Sequence, residues 1–193
     1  TVIIFTSDNG GLSHKFGRHI NITDNYPLRA GKGSAYEGGI RVPLIIKCPG
    51  ITEPKSICRE PVSTVDFYPT LLKFATGEKK VEEIDGENIF PLLKNPSHNL
   101  KRKDLYWHYP HYHPGGMAPH SSIRSGDWKL IKFYENNIIE LYNLNDDISE
   151  GKNLADEEQE ISEKLLNNLN SWLNEVGAQK PVYNPEYTPE KNE

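Results

Sequence analysis

A carboxylate and an amide oxygen stand side by side at Asp8-Asn9, directly after the apolar run Val2-Ile3-Ile4-Phe5. Open α/β sheets place ligands at the C-terminal ends of their strands, so this pair offers two hard oxygen donors where a divalent cation can bind. Calcium accepts an oxygen-only set with loose geometry, whereas zinc favours His or Cys. Two donors are not a complete site, and Ser7-Asp8-Asn9-Gly10-Gly11 also has the composition of a plain turn. A second candidate is Lys32, held between Gly31 and Gly33. A lysine on a flexible loop can touch an anionic oxygen as a point charge, or stay solvated. The GxxxxGK[ST] spacing of a nucleotide phosphate loop is not met. Arg41 and Glu37 nearby read equally well as a structural ion pair that fixes this loop. A third candidate is the His- and Tyr-rich segment 107–113, carrying His108, His111 and His113, with His120 close behind.

The elements that must position these groups follow from periodicity and turn chemistry. Residues 1–6 are apolar on both faces, the pattern of a strand buried inside a parallel sheet with neighbours on both sides. No strand precedes them in the sequence, which suggests either an edge strand of a complete small domain or, the reading preferred here, a fragment of a larger one. Residues 12–41 are glycine-rich and predict little regular structure, and 42–47 form a second strand opened by Pro43. A helix is expected over 63–75, with Ser63, Thr64 or Asp66 capping its start and Gly77 ending it. The polar stretch 78–103 reads as a long connection. Four short strands follow at 105–109, 121–124, 128–134 and 138–144, separated in part by Ser125-Gly126-Asp127 and Glu135-Asn136-Asn137. Ile161, Leu165, Leu169, Trp172, Leu173 and Val176 recur at helical spacing, predicting a helix over 156–176 that lies on one face of the small sheet. The tail after Lys180, with Pro181, Pro185 and Pro189, is expected to be extended.

Composition narrows the function classes. The 36% apolar content permits a packed core, and a net charge of −5 without a long basic run argues against a nucleic-acid surface. The apolar runs are too short to span a bilayer. Cys48 and Cys58 belong to no CxxC or zinc cluster and can be bridged or free. Asn21-Ile22-Thr23 is a glycosylation sequon, of consequence only in a secreted eukaryotic chain.

Ser7-Asp8-Asn9-Gly10, followed by Gly-Lys-Gly-Ser-Ala-Tyr-Glu-Gly-Gly-Ile-Arg-Val-Pro over 31–43, resembles the type I, formylglycine-dependent sulfatase family of the alkaline phosphatase superfamily, in its arylsulfatase-like form. Val65-Asp66-Phe67-Tyr68-Pro69-Thr70-Leu71-Leu72, the run from Ser122 to Ile131, Glu140-Leu141-Tyr142-Asn143-Leu144 and Asn153-Leu154-Ala155 continue the similarity in order over nearly the whole chain.

The resemblance implies an α/β fold. Residues 1–103 would be the C-terminal part of an alkaline phosphatase-like catalytic domain. Residues 104–193 would be a C-terminal α+β subdomain, a small four-stranded antiparallel sheet packed with a helix and followed by an extended tail. It implies that Asp8 and Asn9 are the later pair of calcium ligands and that Lys32 contacts the sulfate group; no catalytic role carries to Arg41. The family's nucleophile is a formylglycine made from the Cys or Ser of a [CS]-x-P-x-R motif. Neither Cys48-Pro49-Gly50 nor Cys58-Arg59-Glu60-Pro61 has that spacing, and the earlier Asp-Asp ligands are not identifiable either. The expectation is therefore half an active site, inactive by itself and completed by an N-terminal part of the domain. The intact parent would hydrolyse a sulfate monoester on a sulfated small molecule or glycan, in a secreted, periplasmic or lysosomal setting. His108, His111 and His113 would line the sugar pocket, His as donor and Tyr as stacking surface. Two alternatives stand beside this reading. One is a phosphonate or phosphate monoester hydrolase of the same superfamily, disfavoured by an Asn where a transition-metal site would use His. The other is a non-catalytic carbohydrate-binding or structural module.

Overall fold

The computed structural model describes residues 1–13, 22–77, 84–113 and 117–186. Asn21 of the sequon and Pro189 of the tail lie outside them. In chain order the elements are β1 (Ile3–Thr6), α1 (Glu37–Ile40), β2 (Leu44–Lys47), α2 (Phe67–Thr76), α3 (Phe90–Lys94), β3 (Asp104–Tyr109), β4 (His120–Ser125), β5 (Trp128–Phe133), β6 (Ile139–Asn143) and α4 (Gln159–Glu175). The chain divides into two compact units, Thr1–Gly10 with Arg41–Leu105, and Gly11–Ile40 with Tyr106–Glu193.

In the first unit β1 pairs antiparallel with β2, Phe5 opposite Ile45 and Ile3 opposite Lys47. Successive side chains of a strand point to opposite faces, and the burial alternates accordingly. Ile4 and Ile46 are half-buried, whereas Ile3, Phe5 and Ile45 are exposed. Where the sequence suggested a parallel-sheet strand, the partner among the described residues is antiparallel, and one face is open in this chain.

A 3₁₀ turn (Thr64–Asp66) leads into α2, which stops at Gly77 in the left-handed conformation, φ 74°. The Asp66 carboxylate organises this corner. Oδ2 accepts the Ser63 N–H at 2.8 Å and Oδ1 the Glu87 N–H at 2.8 Å. Arg102 closes on the same carboxylate with Nη1 at 2.6 Å from Oδ1 and Nη2 at 2.7 Å from Oδ2. Thr70 donates to the Asp66 carbonyl and accepts the Ile89 N–H. Ile89, Leu92 and Leu100 form a small core against Ile46, Val62 and Phe67. The stretch expected to be a plain connection thus contains α3, whose Leu92 is buried and whose Pro91 sits in the first turn, where a missing N–H costs nothing. Cys48 is buried and Cys58 exposed, both as free thiols.

The second unit is built on a four-stranded sheet in the order β3-β4-β5-β6. The β4–β5 hairpin turns through Gly126, φ 58°, with Ser125 opposite Trp128. Period-2 alternation gives the sheet two different apolar faces. Ile123, Leu130 and Leu141 pack on Leu165, Leu169 and Leu173 of α4, and the Tyr106 ring stacks on Trp172 with centroids 4.7 Å apart. On the opposite face Ile131 and Tyr142 pack with Ala35, Tyr36, Met117 and Leu144. The glycine-rich segment around Ala35 therefore covers the sheet face that α4 leaves open.

Candidate functional site

Asp8 and Asn9 follow β1 directly, in the first unit. Ser7 Oγ donates to the Asn9 carbonyl at 2.8 Å and closes the turn, leaving Asp8 exposed and Asn9 half-buried. Among the described residues neither side chain has a hydrogen-bond or ion-pair partner, so their oxygens are available as donors. A carboxylate and a carboxamide oxygen are the donor types calcium takes, in a set of roughly six to eight. The pair fits part of such a site. Among the described residues no group of three or more His, Cys, Asp or Glu is assembled that could hold a metal ion.

Lys32 lies in the second unit, at the tip of a tight turn. Its N–H donates to the Gly11 carbonyl at 3.0 Å, and the Ser34 N–H to the Gly31 carbonyl at 3.1 Å. Asn25 Nδ2 donates to the carbonyls of Gly11 and Ala30, both at 2.9 Å. A Cβ at Gly31 would collide with the Gly11 carbonyl and the side chains of Ser13 and Asn25, so only glycine fits before the lysine. The Lys32 side chain is exposed, and its ammonium has no partner among the described residues.

Behind the tip, three side chains tie the turn to the sheet. Glu37 is buried, with Oε1 2.9 Å from Lys129 Nζ and Oε2 3.8 Å from Arg124 Nη1. The Glu37 N–H donates to Glu150 Oε2 at 2.6 Å. Lys129 Nζ lies 2.8 Å from Glu150 Oε1, an ionic contact off the line of a directed hydrogen bond. Burial raises the Glu150 carboxyl above its ordinary value, and the neighbouring Lys129 opposes that rise. Tyr36 and Tyr142 both donate to Glu140 Oε2 at 2.8 Å. Burial, reinforced by that carboxylate, pushes both phenols up, so they stay protonated as donors. Arg29 reaches the Tyr142 hydroxyl and the Glu150 carbonyl, each at 2.9 Å, and its guanidinium lies 3.8 Å from the centre of the Tyr36 ring. The sequence suggests Glu37 as a loop-fixing ion-pair residue with Arg41 as its partner, whereas the ion pairs seen here run to Lys129 and Arg124. Its partners Lys129 and Glu150, 92 and 113 residues away, are not legible in sequence.

The three histidines separate. His108 uses both ring nitrogens internally, Nδ1 at 2.7 Å from Ser121 Oγ and Nε2 at 2.8 Å from the Gln179 carbonyl. A carbonyl only accepts, so Nε2 carries a proton; in the neutral tautomer Nδ1 accepts from Ser121, which in turn accepts from Tyr134 at 2.7 Å. His111 is exposed, its ring 5.6 Å from that of Tyr109 in an edge arrangement. His113 is half-buried and lies over Gly33 so closely that a Cβ there would strike its ring. Gly33 has φ 87°, so both space and backbone demand glycine beside Lys32. His120, beyond the three, is buried between Tyr109 and Phe133 with Nδ1 2.8 Å from the Ala118 carbonyl. The structure therefore brings His113 to the Lys32 turn, leaves His111 at the surface and uses His108 to tie β3 to β4 and to the chain after α4.

This mixed α/β arrangement with a four-stranded antiparallel sheet is the fold of sulfatase C-terminal regions. Residues 31–179 match the model of the family N-sulphoglucosamine sulphohydrolase, C-terminal, and the chain belongs to that family. It is 40% identical over 188 residues to a sulfatase of Formosa agariphila, covering 90% of this chain and 33% of that protein. Among solved structures it resembles Ps i-CgsB in complex with k-i-k-neocarrahexaose, at 30% identity and a TM-score of 0.72, over 94% of this chain and 38% of that one. It also resembles BT4656 in complex with D-glucosamine-2-N,6-O-disulfate, at 27% identity and a TM-score of 0.70, over 93% and 35% of the respective chains. The chain spans between about a fifth and a third of the length of the curated relatives it matches.

Proposed function

We propose that the intact parent of this chain hydrolyses a sulfate monoester carried on a carbohydrate or aryl group, and that these residues supply one sulfate-contacting cation and two calcium donors. The observation that carries the reading is Lys32. A flexible side chain ends in an ammonium without a protein partner among the described residues, while the turn beneath it is fixed by glycines and buried ion pairs. A point charge presented from a rigid base is suited to offsetting negative charge on a transferring sulfuryl group. Asp8 brings a full negative charge and Asn9 a neutral oxygen, a combination that binds a divalent cation without filling its coordination. Calcium, when bound, supplies positive charge to hold the nucleophile and a sulfate oxygen. The formylglycine nucleophile and the remaining ligands come from the parent's other part, so these 193 residues alone turn over no substrate. A sulfated sugar is the favoured substrate class, in keeping with the disulfated glucosamine bound by the similar BT4656. His111 and His113 are the sugar-facing candidates, His108 a weaker one. No helix among the described residues is long and apolar enough to cross a membrane, and a secreted, periplasmic or lysosomal setting is part of this proposal.

The test is Lys32→Ala in the full-length parent, assayed on a sulfated oligosaccharide and for inhibition by free sulfate. Losing one charge-assisted contact worth about 1.5–3 kcal/mol lowers kcat/KM by roughly ten- to a hundred-fold and weakens sulfate inhibition in parallel. Asp8→Ala should abolish calcium-dependent activity and reduce bound calcium. Wild-type kinetics in both variants would overturn the proposal.

A further inference from the structure

We propose that the buried cluster of Lys129, Glu37 and Glu150 is the device that positions Lys32, with Lys129 as its central positioning residue. This rests on the reading that Lys32 touches the sulfate group.

Lys129 projects from β5 on the sheet face opposite α4, since its neighbour Leu130 packs on the helix. It is fully buried, as is Glu150, and Glu37 is nearly so. Charges are removed from water only when they are paired, and apolar residues of similar size would fill the same space at no loss of stability. What a directed ion cluster adds is a single geometry. Here the geometry is transmitted to one place. Glu150 holds the Glu37 backbone N–H with one oxygen and the Lys129 ammonium with the other, while Lys129 also holds the Glu37 side chain. Glu37 is therefore gripped at both backbone and side chain, five residues beyond Lys32.

The grip continues back to the lysine without slack. The Gly38 N–H donates to the Arg29 carbonyl at 2.9 Å, joining the two sides of the turn at its base. A Cβ at Gly38 would strike the carbonyls of Arg29 and Ala30, and one at Gly39 those of Ser34 and Gly31. Arg29, on the near side of Lys32, is held to Tyr142 and to the Glu150 carbonyl. Glu150 thus meets both arms of the turn, one through its carboxylate and one through its main chain. A rotation or slip of the turn would break these contacts together. An exposed lysine side chain is mobile by itself, so fixing its Cα is the means by which the fold limits where the ammonium can reach.

The experiment is a double-mutant cycle in the full-length parent. Glu150→Gln is the mild variant, because its amide keeps an acceptor oxygen for the Glu37 N–H. The Glu150→Gln/Lys129→Met double variant removes one charge of each sign, leaves Glu37 with Arg124, and guards against a fold collapse caused by a lone buried charge. Each is combined with Lys32→Ala and assayed for kcat/KM and for sulfate inhibition, well below its own unfolding temperature. Each cluster variant should lose roughly ten-fold or more in kcat/KM when Lys32 is present, but less than about two-fold in the Lys32→Ala background. Losses that multiply in the two backgrounds, or an undiminished kcat/KM in a folded cluster variant, overturn the positioning role and leave the reading of Lys32 intact. Wild-type kinetics in Lys32→Ala alone would instead overturn the sulfate-contact reading, and the positioning role with it.

Discussion

Replacing Asp66 by Asn changes one oxygen to an amide and nothing in size, yet the geometry makes it costly. Oδ1 accepts from the Glu87 N–H and Arg102 Nη1, and Oδ2 from the Ser63 N–H and Arg102 Nη2. Whichever way the new carboxamide turns, its NH₂ faces one backbone donor and one guanidinium donor. One backbone N–H bond and one guanidinium bond to the carboxylate, each made to a charged acceptor and worth about 1.5–3 kcal/mol, are lost. Two N–H groups are left facing a donor. Asp66 is fully buried and Arg102 only 18% exposed, so water offsets little of this. The sum is about 3–6 kcal/mol, which spans the roughly 3–5 kcal/mol for breaking a buried pair by removing one partner. Urea unfolding read by tryptophan fluorescence and by far-UV circular dichroism measures it. With a slope of about 1–3 kcal/mol per M, the midpoint should fall by at least about 1 M. Lys152→Ala is the control, since its pair with Glu157 is 66% and 58% exposed and is worth at most about 1 kcal/mol. An Asp66→Asn change no larger than the control would refute the reasoning.

Leu169→Ala, at a fully buried contact of α4 with the sheet, should cost about 2–5 kcal/mol in the same assay; a loss under about 1 kcal/mol would mean the helix is not seated as described. Burial holds the His120 imidazole below its ordinary value, against a raising contribution from the Ala118 carbonyl and with further lowering by Lys129 and His108. Its contribution to stability is therefore present above about pH 6.5 and is lost as pH falls through the depressed folded value. Stability should decline less steeply below pH 6.5 in His120→Gln than in the wild type, and an identical slope would contradict the buried neutral state. His111→Ala and His113→Ala in the parent should lower kcat/KM several-fold on a sulfated oligosaccharide and leave a small aryl sulfate unaffected, whereas equal losses on both would point to a defect in fold or chemistry. His108→Ala should reduce stability first, because both of its ring nitrogens are engaged within the protein.

The strands and helix between Asp104 and Glu175 were legible because their signals are local. Alternation places the strands around Ile123, Leu130 and Leu141, and the spacing of Leu165, Leu169 and Leu173 places α4, each within a few residues of the observed bounds. Other features depend on partners that no local pattern names. The apolar run Val2-Ile3-Ile4-Phe5 suggests a strand covered twice, but its partner β2 among the described residues lies some forty residues on and runs antiparallel. Helix α3 has only five residues, too short for a helical period to emerge, and its apolar content is spent on a small core with Leu100. At the candidate site, Lys32 stands out by its flanking glycines, and Asp8-Asn9 by donor type. Lys129 does not stand out, because a lysine in the middle of a strand ordinarily marks a solvated face. His108, His111 and His113 look equivalent in sequence, and only the contacts of Ser121, Gln179 and Gly33 tell them apart.

The covering of one sheet face by the Arg29–Ile40 segment has a kinetic consequence. Strands β4, β5 and β6 are joined by short hairpins and followed closely by α4, so their contacts close small loops and can form early. The bonds from Tyr36 to Glu140 and from Glu37 to Lys129 and Glu150 close loops of about a hundred residues and should form late. Substitutions that weaken the Lys32 turn should therefore speed unfolding while leaving the folding rate nearly unchanged, whereas substitutions in the β4–β5 hairpin should slow folding itself. Such an enzyme would have a scaffold that assembles first and a charged tip that docks last, and in chevron measurements the tip would be the first part to let go.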